Sequence, residues 1–110
     1  MSRGQPSSVA LLNSATATGA GLSQSVWGIE KSFQVTASTT SGNGGAIVVL
    51  QVSNDGVNWL DAATFDLEFN STGTTEGFSR SATWKHMRGK VNSISGTGSS
   101  VSLIVSNLTR

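Results

Sequence analysis

Lys31-Ser32-Phe33-Gln34-Val35-Thr36-Ala37-Ser38-Thr39 is the stretch that decides the fold class. Phe33, Val35 and Ala37 fall on one parity, and Ser32, Gln34, Thr36 and Ser38 on the other. A period of two turns one set of side chains to a core and the other to water, which is the pattern of a half-buried β-strand. Ser41-Gly42-Asn43-Gly44-Gly45 follows and predicts a hairpin loop, because Gly and Asn tolerate positive φ. Ala46 to Ser53 is then nearly continuously apolar through Ile47, Val48, Val49, Leu50 and Val52. A short β-branched run of this kind reads as a central strand covered on both faces. A loop of the same chain or a neighbouring subunit is expected to supply the second cover.

The same alternation recurs outward from this pair. Asn54-Asp55-Gly56 makes a tight turn, and Trp59 is expected to pack across its base. Val57 to Leu60 reads as a short strand. Phe65, Leu67 and Phe69 alternate with Thr64, Asp66 and Glu68, and Phe78 to Thr83 resumes the pattern after a polar loop. Met87, Gly89 and Val91 oppose Arg88, Lys90 and Asn92, and Gly96-Thr97-Gly98 turns the chain into Val101, Leu103 and Val105. Upstream, Val9 to Leu12 reads as a first strand, and Leu22 to Ile29 as a short strand and loop that tucks Trp27 inward. No segment keeps a 3.6-residue apolar period over a helix length. The result is seven to nine short strands in an all-β fold, a small antiparallel β-sandwich or jelly roll. Phe33, Val35, Val48, Leu50, Trp59, Leu103 and Val105 are expected in one core. Trp27, Trp59 and Trp84 are expected to supply much of its apolar mass.

One domain fits 110 residues, and two separate cores do not. Residues 1–8 read as a flexible N-terminal arm, with Gly4, Pro6 and paired serines against a regular element, and residues 9–110 as a single sandwich domain. Hydrophobic residues are 36% of the chain, which is lean for a free-standing core and favours a homo-oligomer. Ile47 and Val49, on the second face of the apolar strand, are candidate assembly contacts. Arg3, Gln5 and Pro6 in the arm complete that set, since an arm without an apolar pattern is free to dock elsewhere.

Chemistry is harder to find. Charged residues are 12% of the chain and the net charge is +1, which argues against nucleic acid as a partner. The densest basic group, Lys85, Arg88 and Lys90 around His86, reads as a solvated strand face. There is no cysteine, so no thiolate nucleophile and no cysteine metal site. His86 is the lone histidine, and no strand-to-helix nucleophile elbow accompanies it. Asp66 and Glu68 share a strand face, where carboxylates commonly discourage edge pairing. No catalytic residue, cofactor or metal is therefore assigned. The opening residues lack a run of signal-peptide length, and no membrane span is expected.

Three stretches taken together resemble the small β-sandwich proteins of tailed-bacteriophage virions. They are Phe33-Gln34-Val35, the run from Ala46 through Ser53-Asn54-Asp55-Gly56-Val57-Asn58-Trp59, and His86 to Gly98. Such proteins place a strand, an S-x-D-G-x-x-W hairpin and an R-x-x-V strand ending in Gly-Thr-Gly in this order. The likeness covers about residues 30–107 and departs at Met87, where an aromatic commonly precedes the arginine. It implies a non-enzymatic structural role in the virion: a capsid decoration or cement protein, bound as an oligomer to the major capsid protein or another virion protein. The alternative is a carbohydrate-binding module of a phage tail or host-attachment piece, using its tryptophans.

Overall fold

The computed structural model describes residues 6–25, 30–81 and 84–108. Eight strands lie within them: β1 (Pro6–Ala15), β2 (Gly19–Ala20), β3 (Glu30–Ser38), β4 (Ser41–Ser53), β5 (Leu60–Phe69), β6 (Thr74–Ser81), β7 (His86–Thr97) and β8 (Ser100–Leu108). Their antiparallel pairings are nested, β4 with β5, β3 with β6, β2 with β7 and β1 with β8. Two further pairings, β3 with β8 and β4 with β7, close the strip into two sheets of order β1-β8-β3-β6 and β2-β7-β4-β5. Nested pairs wound into two four-stranded layers are the jelly-roll topology.

The expected alternation builds the core. Phe33, Val35 and Ala37 of β3 and Val101, Leu103 and Val105 of β8 face Val48, Leu50 and Val52 of β4, Met87 and Val91 of β7, and Phe65 and Leu67 of β5. Phe78 of β6 stacks on Phe33 at 5.0 Å and on Phe65 at 5.7 Å, and so links the two layers. Leu11 and Leu12 are both buried although they are adjacent, because β1 shifts register between Ala10 and Leu12. A bulge of this kind places two consecutive side chains against one layer. Gly89 holds the inward place between Met87 and Val91. A Cβ there would lie 2.6 Å from Leu12 Cγ, so the missing side chain is the room that Leu12 of the other sheet fills.

Several expectations need correction. Pro6, Ser7 and Ser8 are not free arm: they pair with Leu108, Asn107 and Ser106. Pro6 is tolerated because it opens a strand at a sheet edge, where its missing N–H breaks no ladder. The 41–45 stretch is not a hairpin loop. The chain crosses there from one sheet to the other, and Gly44 and Gly45 lie in β4 opposite Phe69 and Glu68. Turn-forming residues report a change of direction, and the jelly-roll winding sends the next strand to the other layer. Leu22 is 81% exposed, and among the described residues of that segment Gln24 bridges to Met87. Val57 is exposed in a bend instead of a strand. Among the described residues the core is built from Val, Leu, Phe, Met and Ala: Trp59 is half-buried outside it, and Trp84 packs against its edge. Arg3, Gln5 and Trp27 lie outside the described residues.

Two substitutions test this packing. Leu50→Ala, at a side chain 1% exposed, is expected to cost about 2–5 kcal/mol in chemical denaturation. Gly89→Ala is expected to cost about 1–3 kcal/mol by overpacking against Leu12. An unchanged midpoint in the second variant would mean that the two sheets do not meet at Leu12.

Candidate functional site

The end of β4 gathers the residues with chemical potential. Ser53 is 1% exposed, and its hydroxyl donates to Asp55 Oδ1 at 2.9 Å while accepting the backbone N–H of Asp55 and of Gly56. Asp55 Oδ1 also accepts the N–H of Val57 and of Asn58, each at 2.8 Å, and Oδ2 accepts Asn58 Nδ2 at 2.9 Å. Gly56 has φ +75°, a left-handed conformation that a side chain would resist. Asn54 Oδ1 accepts the N–H of Lys85 at 3.1 Å and ties the turn to the entry of β7. The backbone N–H of Asn58, then that of Val57, then the Asn58 and Ser53 side chains hold the Asp55 carboxyl far below the usual carboxylate range.

Ser53, Asp55 and His86 are neighbours in space, since Ser53 pairs with His86 across the β4–β7 ladder. Their hydrogen bonds nevertheless run as in a turn staple. The Ser53 hydroxyl donates to the carboxylate, whereas an activated serine would donate to an imidazole.

Two positions along the same ladder lies a second cluster. Gln51 pairs with Arg88 and, across a register shift in β5, with Asp61. Arg88 Nε donates to Gln51 Oε1 at 2.8 Å, and Gln51 Nε2 donates to Asp61 Oδ1 at 2.9 Å. The Arg88 guanidinium carbon stands 4.2 Å above the centre of the Trp59 ring, which is a cation–π contact. Trp59 therefore packs at the hairpin base as expected, but on the solvent side of the sheet. Gln51 and its link to Asp61 were not singled out from sequence. The available signal was a lone amide interrupting the apolar run from Ile47 to Val52.

The remaining candidates are dispersed. Asp66 and Glu68 project to solvent from β5 opposite Ile47 and Gly45. Lys85 is exposed, and Arg88 and Lys90 are half-buried along the outer side of β7. Val49 is 2% exposed within the single chain, so it does not present a free apolar surface for assembly. Ile47 is half-buried between Asp66 and Ser93. Among the described residues no three His, Asp or Glu side chains are grouped to hold a metal ion. No helix of the described residues is long and apolar enough to cross a membrane.

No family model, curated protein or solved structure matches the chain.

The turn and the cluster each yield a test. Because the folded Asp55 value lies below the unfolded one, its contribution is complete above the ordinary carboxylate value of about 4 and is lost as the pH falls toward the lowered one. Wild type is thus expected to exceed Asp55→Asn in urea midpoint at neutral pH, with a gap that closes as the solution is acidified below about pH 4. A gap that stays constant would show that the charge does not hold the turn. For the cluster, a double-mutant cycle of Trp59→Ala and Arg88→Ala is expected to give a coupling of about 0.5–1 kcal/mol. Strictly additive losses would remove the contact as an energetic link.

Proposed function

We propose that the chain is a structural protein of a tailed-bacteriophage virion, a capsid decoration or cement protein that binds the capsid lattice as a homo-oligomer. The observation that carries this reading is the contact of Arg88 with Trp59. The S-x-D-G-x-x-W stretch ends at Trp59 and the R-x-x-V stretch begins at Arg88, so the two motifs behind the phage resemblance meet as one physical joint. Within this chain, the two stretches that carry the resemblance are therefore in contact.

The chemistry of the joint supports the same role. Ser53, Asp55, Asn58, Gln51, Asp61 and Arg88 spend their hydrogen bonds on one another and on the local backbone. Groups held this way stiffen a β body. Stacking of a sugar on Trp59 meets an obstacle, because the Arg88 guanidinium already occupies one face of the ring.

The partner in this reading is the major capsid protein or another virion protein, and the N-terminal residues 1–5, with Arg3 and Gln5, contribute to the contact. The test uses heads produced from the same genome with this gene deleted, mixed with purified protein and sedimented. The expected result is saturable co-sedimentation at a fixed copy number per capsid protein, weakened when residues 1–5 are removed. Truncation at residue 5 keeps every residue of β1 (Pro6–Ala15). A protein that ignores the heads and binds members of a glycan panel would overturn the proposal in favour of the carbohydrate-binding alternative.

A further inference from the structure

Two open sheets have edges, and an unguarded edge is a template for another strand. Most of the edges here are guarded. β1 opens on Pro6 and shifts register between Ala10 and Leu12 and again between Leu12 and Ala15. The margin of β7 is covered from Met87 to Val91 by residues between Gly19 and Gln24, and beyond it the strand bulges between Val91 and Ser93. β5 bulges between Asp61 and Ala63 and carries Asp61, Asp66 and Glu68 exposed along its length. Proline, bulges and charges of one sign keep an edge from pairing. β6 lacks the proline and the bulge. Its eight residues pair with β3, from Ser81 with Glu30 to Thr74 with Ala37, without a shift of register. Thr75, Glu76, Gly77 and Ser79 are exposed, and among the described residues no strand lies along its other margin. Its charges are Glu76 and Arg80, of opposite sign, four positions apart and on the parity of Phe78.

We infer that β6 docks edge to edge against β6 of a second copy, antiparallel, about a two-fold axis at Phe78. Two copies of one strand pair residues of like parity, because paired side chains share a face of the sheet. The register about Phe78 sets Glu76 of each copy opposite Arg80 of the other, Gly77 opposite Ser79 and Thr75 opposite Ser81. Centred on Gly77, the strand would set Glu76 opposite Phe78. Centred on Ser79, it would set Arg80 opposite Phe78. Both alternatives lose the two charge pairs. Opposite charges directly across a ladder attract and like charges repel, so the charge pattern selects the partner and the register together. A neutral strand leaves both charges of β6 without a counter-charge across the new ladder, whereas its own antiparallel copy supplies one to each. Arg80 also stands opposite Lys31 across the β3–β6 ladder, so each arriving carboxylate joins a row that holds two cations.

Main-chain hydrogen bonds give the affinity in this mode of docking, and side chains give the specificity. The product is one sheet continuous across both copies, in the order β1-β8-β3-β6-β6-β3-β8-β1. Its outer edges are the two guarded β1 strands, and the two-fold contact is closed, so assembly by this route ends at a dimer. The inference rests on the oligomeric part of the virion proposal and names the edge responsible.

Sedimentation velocity of the full chain from about 1 μM to about 1 mM tests it, a range that brackets a weak dimer. Wild type is expected to rise from monomer to dimer mass across the range. Glu76→Arg sets cation against cation at both charge pairs, and Arg80→Glu sets carboxylate against carboxylate. Each variant alone is expected to move the midpoint at least about tenfold higher. An equimolar mixture of the two is expected to dimerise as wild type does, since each copy then meets the opposite charge. Circular dichroism and a denaturation midpoint confirm the fold of each variant. The chain has no cysteine, so Thr75→Cys combined with Ser81→Cys gives a second measurement. Mild oxidation is expected to trap a covalent dimer, because directly opposed residues of an antiparallel ladder lie within disulfide reach. This variant decides should a charge variant unfold. A wild type that stays monomeric throughout, folded charge variants that dimerise alone as wild type does, a mixture of them that does not recover, or a folded cysteine variant that yields no covalent dimer would overturn the inference. A monomer that still saturates capsids would overturn this edge alone, and a β6-paired dimer that ignores capsids would overturn the virion proposal alone.

Discussion

Strand β4 is hydrogen-bonded along both margins, to β7 on one side and β5 on the other, and the register of these two ladders sets most of what surrounds it. Val48, Leu50 and Val52 go to the core because the pleat alternates, and the same alternation leaves Gln51 on the outer side. A slip of one residue would exchange the two faces, placing an amide in the core and three aliphatic side chains outside. The apolar row against the other sheet is therefore what pins Gln51 opposite Arg88, Ser53 opposite His86 and, through the turn, Trp59 beneath the guanidinium.

The turn after β4 protects that register at its end. Its carboxylate satisfies two backbone donors that the bend removes from the ladder, and the neighbouring asparagine holds the start of β7. An aspartate at this place serves geometry. Its pKa is lowered by hydrogen bonds to the charged form from the turn's own backbone and side chains. The same physical effect marks many catalytic carboxylates. Here the donors are the turn's own amides and side chains, so the shift reports a folded loop.

Charge is distributed by layer. One outer face carries the acid and base residues of β5 and β7, which keep that surface hydrated. Among the described side chains, the other presents serine, threonine, Ala10, Gln34 and Ile104.

The sequence by itself determined the all-β class, the parity of β3, β4, β5 and β8, and the valine, leucine and phenylalanine positions those strands send to the core, but not the place of Trp59 or the burial of Leu11 and Leu12. These follow from alternation along one strand, and a period of two needs no knowledge of neighbours. The Asn54-Asp55-Gly56 turn was legible for the same reason, since its hydrogen bonds close within a few residues. Tertiary structure alone decided which strands pair. Ser41 to Gly45 has the composition of a hairpin yet spans the gap between two sheets, because winding depends on which partner edges are free, a property of the whole strip. It alone decided that Pro6 to Ser8 belong to a strand, since an edge strand is held by β8 from the far end of the chain. It moved Trp59 from the expected core to the outer face, where a cation from a distant strand covers it. Contacts across long sequence separation arise from packing, and no local pattern of side chains encodes them.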